Sequence, residues 1–258
     1  MKKLILIAAP LCLATSALAQ VSFTGGTYTQ NFNSLPSTGS ATWTNNSTLV
    51  GWSAITDATA SITTVGAGVG TSTTAGLYGF GIASASDRAI GFVASNAFTG
   101  ASSTGRGYIG VLIQNTSSDV LENIVVGYTG EQWRKENNSS ANALSFSYSL
   151  NNTSLTSGVY NFVNPMGFAS PITGATSATA LDGNQNANRA VLSTSLTGVS
   201  LNPGDTIMIR FIDLNDSGND HILAVDDFNF SAEAVPEPAT MTILAGAAAM
   251  AALRRRKK

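Results

Sequence analysis

Ala143-Leu144-Ser145-Phe146-Ser147-Tyr148-Ser149-Leu150 alternates apolar and serine side chains along its length. A period of two is the period of a pleated strand, so Leu144, Phe146, Tyr148 and Leu150 share one face and supply one stripe of a core. Thr206 to Ile212 repeats the pattern, with Ile207, Ile209 and Phe211 on one side. Working outward, Tyr108 to Ile113, Ile124 to Thr129, Arg189 to Leu196 and Leu223 to Phe230 read as further strands. Ser22 to Phe32, Leu49 to Ile55, Gly76 to Ile82 and Ala89 to Val93 are fainter ones. Gly, Asn, Ser, Asp and Pro punctuate the intervals, and heptads, tandem repeats and long amphipathic helices are absent. Strands without crossover helices do not build a parallel sheet. The pattern therefore predicts an all-β fold, an antiparallel β-sandwich of jelly-roll type, with an up-and-down barrel or β-helix as alternatives. The missing repeat counts against the β-helix.

The two ends of the 258-residue chain have a different character. Lys2 and Lys3, the apolar run Leu4 to Ala14, and the small residues Ala17 and Ala19 before Gln20 have the layout of a cleaved secretory signal. At the other end Val235-Pro236-Glu237-Pro238 precedes an apolar run, Ala239 to Leu253, and then Arg254-Arg255-Arg256-Lys257-Lys258. The prolines deny the preceding strand a helical continuation, the apolar run prefers lipid, and the cationic end resists translocation. Fifteen helical residues reach about 22 Å, short of a roughly 30 Å hydrocarbon core, which suits a temporary anchor. The expected organisation is a signal peptide at 1–19, a β-sandwich at 20–232 and a sorting region at 233–258. A signal helix and a C-terminal transmembrane helix would flank the body.

This C-terminal arrangement resembles the PEP-CTERM sorting region of exported bacterial proteins. The resemblance implies export by the Sec machinery, transient anchoring in the inner membrane, and cleavage near the motif by an exosortase, a membrane-embedded cysteine protease. It implies a final location at the cell surface or outside the cell, in bacteria that make extracellular polysaccharide, and it carries an address without an activity. Four phrases of the body, Tyr28 to Leu35, Ser86 to Gly91, Tyr128 to Arg134 and Leu223 to Phe228, resemble secreted bacterial proteins of unassigned activity. Asp226-Asp227-Phe228 is similar to the last strand of many carbohydrate-binding and adhesion jelly rolls, which implies fold more than ligand.

Seven of the thirteen cations lie at the termini, so the body between residues 20 and 238 carries six cations against all fifteen carboxylates. Such a surface repels phosphate backbones, which argues against nucleic acid as a partner and favours divalent cations as company. The one cysteine, Cys12, falls inside the signal segment, in a context unlike a lipoprotein site, so the exported body has neither a disulfide nor a thiolate metal site.

Three stretches carry candidate chemistry. Asp213-Leu214-Asn215-Asp216-Ser217-Gly218-Asn219-Asp220 places Asp213, Asn215 and Ser217 at the first, third and fifth positions of a calcium-loop opening, but Ala224 stands where the bidentate acid belongs. A polar hairpin turn is the alternative. Strand alternation sets Asp226 beside Ile222, Ala224, Phe228 and Phe230 on the buried face, where it needs hydrogen bonds, an arginine or a shared calcium near Asn31 and Asn33. Glu131, Trp133 and Arg134 combine a carboxylate, an aromatic face and a guanidinium, the groups that hold sugars. The alternative is a core tryptophan beside a structural Glu–Arg pair.

A single histidine, His221, reads as a turn residue, and neither a two-histidine metal motif nor a G-x-S-x-G elbow occurs. Catalysis would have to use carboxylates, with Glu122, Glu131, Asp213 and Asp220 the candidates. The sequence therefore predicts a non-catalytic binding or structural sandwich that meets extracellular polysaccharide. The alternative is a carbohydrate-active hydrolase or lyase, favoured by a groove holding two carboxyls of raised pKa.

Overall fold

The computed structural model describes residues 20–235. The expected signal and transmembrane helices lie outside the described residues. In chain order the strands begin with β1 (Val21–Phe23), β2 (Gly26–Gln30), β3 (Ser40–Thr42), β4 (Trp52–Thr56), β5 (Thr64–Gly68) and β6 (Gly76–Phe80). They continue with β7 (Ala89–Val93), β8 (Arg106–Asn115), β9 (Val120–Lys135), β10 (Ala143–Leu150) and β11 (Asn161–Phe162). The last five are β12 (Phe168–Ala169), β13 (Thr179–Ala180), β14 (Arg189–Ser195), β15 (Thr206–Leu214) and β16 (Ile222–Val235).

Two sheets face each other. One runs β1-β8-β15-β10-β11, with β4 beside β8 and β12 beside β10, and the other runs β13-β9-β16-β7-β6-β5-β3, with β14 on β9 and β2 on β16. The all-β sandwich expected from the alternating segments is the observed architecture. Pairing is antiparallel except for β1 with β8 and β5 with β6, which run parallel.

Leu144 and Phe146 are buried, as are Ile207, Ile209 and Phe211, and these stripes meet Leu223, Val225, Phe228 and Phe230 of the facing sheet. At the centre, Phe228 meets Trp52 edge-on at 5.2 Å and Phe211 at 6.3 Å, tying one sheet to the other. Leu150, at the end of its strand, is 40% exposed and leaves the stripe. β15 is buried on both faces, because Leu155 and Tyr160 cover Met208, Arg210 and Ile212 on the outside.

Two expectations change in detail. Ser22 to Phe32 is not one strand: Gly25 and Gly26, at φ +100° and +82°, break it. The first part pairs with β8 and the second with β16, so the segment crosses from one sheet to the other. A side chain at either glycine would oppose that left-handed turn.

Asp226 also differs. It shares the face of Ile222 and Ala224, which pack in a second apolar cluster with Phe80 and Trp133, whereas Phe228 and Phe230 belong to the inter-sheet core. The cause is a bulge between Asp226 and Asn229, with Asp227 at φ +47°, which resets the alternation.

Candidate functional site

The hairpin from β15 to β16 crosses one end of the sandwich and walls a cleft of about 370 Å³. Asp213 ends the buried part of β15, and Asp220 and His221 lead into Ile222, the first residue of β16. Arg134 and Glu136 flank the end of β9, Val93 to Asn96 run from the end of β7 into the turn after it, and Ser72 and Thr73 come from the β5–β6 connection. These residues are distant in the chain and meet because four central strands end at the same level.

Amide side chains hold the hairpin. Asn142 Nδ2 donates to Asp216 Oδ2 at 2.6 Å, and Asn142 Oδ1 accepts the His221 N–H at 2.7 Å. Asn215 Nδ2 donates to Asn96 Oδ1 at 3.0 Å and to the Gly100 carbonyl at 2.6 Å. Arg134 pairs with Glu136 and donates to the Gly70 carbonyl at 3.1 Å. Gly70 lies so close to β9 that a Cβ there would sit 1.9 Å from the Trp133 carbonyl oxygen, at φ +76°. Only glycine lets this connection reach the rim of the cleft.

Two buried polar atoms of the cleft residues lack partners, Asp220 Oδ1 and His221 Nε2. The Glu136 N–H donates to His221 Nδ1 at 2.9 Å, so in the neutral ring Nε2 carries the proton. Burial lowers the pKa of His221, with the Ser140 carbonyl and Glu136 opposing it. Burial pushes Asp213 well above the ordinary carboxylate value, reinforced by Asp220 and Asp216. Asp220 is pushed up to about 7, first by burial and then by the charge of Asp216.

The structure brings Asp213 and Asp220 to one cleft and places Glu122 and Glu131 elsewhere. Of the residues considered for calcium, Asn215 spends its amide nitrogen on Asn96 and Gly100, Ser217 is exposed, and Asp226 lies in the other sheet from Asp213. Asn31 and Asn33 accept backbone N–H groups of Asn33 and Arg88. Among the described residues no group of three or more His, Asp or Glu side chains is disposed to hold a metal.

Glu131 and Trp133 face away from the cleft. Trp133 is 1% exposed, stacks at 6.2 Å on Phe80, and donates from Nε1 to Glu131 Oε2 at 2.9 Å. Gly183 covers it, since a Cβ there would lie 2.4 Å from the indole. Arg134 alone of that trio reaches the cleft. Burial raises Glu131 to about 7, and burial with the charge of Glu131 raises Asp226 to about 9. Glu136, Asp216, Asn96 and Asn142 were not legible as site residues. Asp216 lies inside the calcium-loop stretch without being singled out by it, and Glu136 follows Arg134 at the two-residue spacing of one strand face; Asn96 and Asn142 carry no sequence signal.

Residues 234–257 match the model of the PEP-CTERM protein-sorting motif. No curated protein matches the chain. Among solved structures, the body resembles the CBM22-1 xylan-binding domain of Xyn10C from Paenibacillus barcinonensis, at 11% identity and TM-score 0.35, covering 84% of this chain and 100% of that one. It also resembles the family 11 carbohydrate-binding module from Clostridium thermocellum, at 10% identity and TM-score 0.30, over 77% of this chain and 99% of that one. The Cry4Aa toxin from Bacillus thuringiensis matches at 12% identity and TM-score 0.30, over 64% and 22%. Overlaps this loose say nothing about a ligand. The chain carries a PEP-CTERM protein-sorting motif at its C-terminus and is an exported protein.

Proposed function

We propose that the protein is a cell-surface or extracellular protein, held briefly in the inner membrane and cut by an exosortase, whose β-sandwich is a non-catalytic module for extracellular polysaccharide. The division into a signal peptide at 1–19, a body from 20 and a C-terminal sorting region belongs to this reading. The observation that carries it is the matched motif, which begins at Ala234, where the last strand of the sandwich ends at Val235. β16 runs from the cleft to the sorting region without a spacer, so the address is attached directly to the strand that organises the fold. The polar cleft supplies a place for a hydroxyl-rich ligand.

Deleting Pro236 to Pro238 is expected to leave uncut protein in the membrane fraction, read by immunoblot of fractionated cells. Normal release of the deletion variant would defeat the sorting reading.

One observation favours a second reading, a carboxylate-based hydrolase. Asp213 and Asp220 face one cleft, and both hold protons more tightly than ordinary aspartates. Incubating the purified protein with neutral polysaccharides and assaying new reducing ends separates the two. The binding reading expects none, whereas release that Asp220→Asn abolishes would establish the hydrolase.

A further inference from the structure

We propose that the cleft at the end of the sandwich binds an uncharged sugar unit, with ligand hydroxyls meeting His221 Nε2–H as donor and Asp220 Oδ1 as acceptor. The inference rests on the reading of the body as a polysaccharide-binding module and names the site and the ligand chemistry.

The two atoms are buried, belong to adjacent residues lining the same cleft, and make no hydrogen bond of good geometry within the protein, although the Ser140 carbonyl lies near His221 and the Asp216 N–H near Asp220. Buried polar groups are rarely left so, and each is a standing demand for a partner. One needs an acceptor and the other accepts or, when protonated, donates. A hydroxyl does both, so a vicinal diol meets the two requirements with one functional group type.

The alternatives fit less well. An anion would face Asp213, Asp220 and Glu136, and the guanidinium on that rim, Arg134, is already paired with Glu136. A metal ion would need His221 Nε2 free of its proton, yet the Glu136 N–H occupies Nδ1 and keeps the proton on Nε2. Although Glu136, Asp213, Asp220 and His221 line one cleft, no three His, Asp or Glu side chains among the described residues are disposed to hold a metal together. An apolar ligand would leave both orphans unmet. The volume of about 370 Å³ falls within the range of roughly 300–1,000 Å³ typical of small-ligand sites. Asn96, Asn219, Ser72 and Thr73 add further amide and hydroxyl groups around the opening.

The test uses the full-length protein in detergent on an array of neutral, acidic and amino oligosaccharides, followed by calorimetric titration with the strongest neutral oligosaccharide. Neutral oligosaccharides are expected to bind, and Asp220→Ala and His221→Leu are each expected to weaken binding about tenfold or more. Val191→Ser, on an exposed position of β14, should leave affinity unchanged. His221→Leu also removes the acceptor of the Glu136 N–H, so Asp220→Ala decides the matter if the histidine variant does not fold. Undiminished binding by a folded Asp220→Ala variant overturns the cleft assignment and leaves the binding-module reading standing. Absence of binding by the parent protein removes both. Titration with calcium chloride alone supplies the remaining arm: saturable binding lost in Asp220→Ala would make this a cation site and overturn the sugar assignment.

Discussion

Phe228→Ala is expected to destabilise the protein by about 3–5 kcal/mol, the largest effect of any single truncation in the core. Phe228 is fully buried, and its ring meets Trp52, Tyr28 and Phe211 edge-on at 5.2, 6.2 and 6.3 Å. Trp52 and Phe211 belong to one sheet and Phe228 to the other, so the lost ring leaves a void at the contact that joins them. The surroundings cannot collapse readily to fill it. Trp52 is held by its Nε1–H donated to Tyr28 Oη at 2.9 Å, and Phe211 packs on Tyr128 and Phe146. For a body of this size the loss corresponds to a fall in melting temperature of about 10 °C or more. Thermal and urea unfolding followed by near-ultraviolet circular dichroism would measure it, with Val191→Ala, 79% exposed, as the neutral control. A shift for Phe228→Ala no larger than that control would disprove the role given to this contact.

The second large effect is expected from pH. Stability should fall as pH rises from about 5 to 9, and Asp226→Asn should flatten that fall. Burial and the neighbouring Glu131 push Asp226 up to about 9, burial pushes Glu131 and Asp220 up to about 7, and Asp213 is raised as well. Each of these carboxyls binds its proton more tightly in the folded chain than in the unfolded one. Their contribution is complete below the ordinary carboxylate pKa near 4 and is lost as pH rises through the folded values.

The arrangement around Asp226 explains the size of the effect. Glu131 sits diagonally across β9, Asp227 is adjacent, Asp87 adds a further negative charge, and Arg189 is the cation near Glu131. Asp226 Oδ1 accepts the Asp227 N–H at 2.7 Å, while Glu131 Oε1 has no partner. The two carboxyls are therefore costly to ionise together. A loss on the order of several kcal/mol between pH 5 and 9 is expected, because one pKa unit corresponds to about 1.4 kcal/mol and the folded value of Asp226 lies well above the unfolded one. Melting temperatures across that range provide the measurement. A parent protein whose stability is flat or rises over this interval would contradict the account, as would an Asp226→Asn variant with an unchanged slope.

The strands legible in the sequence were those whose side chains alternate between sheet faces. β10 has the bounds its alternation predicts, and the β15 segment was placed with its faces correct. β3, β5 and the two-residue strands β11 to β13 escaped, because small or few side chains leave no periodic signal. Asp226 was placed with Phe228 because a period of two was carried through a residue, Asp227, whose positive φ no local pattern announced.

The site was less legible than the fold for a related reason. Trp133 and Arg134 are neighbours in the chain and face opposite sides of β9, one into a closed apolar cluster and the other onto a cleft. Asp213 and Asp220 were visible as carboxylates, yet their raised pKa values come from burial and from the charges of Asp220 and Asp216 beside Asp213 and of Asp216 and Glu136 beside Asp220, which arise only when the hairpin folds against β9.

Local chemistry was enough for the C-terminal sorting motif and the all-β class, because a lipophilic run ahead of cations and an alternating strand act through nearest neighbours in the chain. The strand that changes sheets at Gly25, the bulge at Asp227 and the protonated Nε2 of His221 depend on partners tens of residues away. Pairing and burial are properties of the packed chain, so the tertiary structure alone decided them.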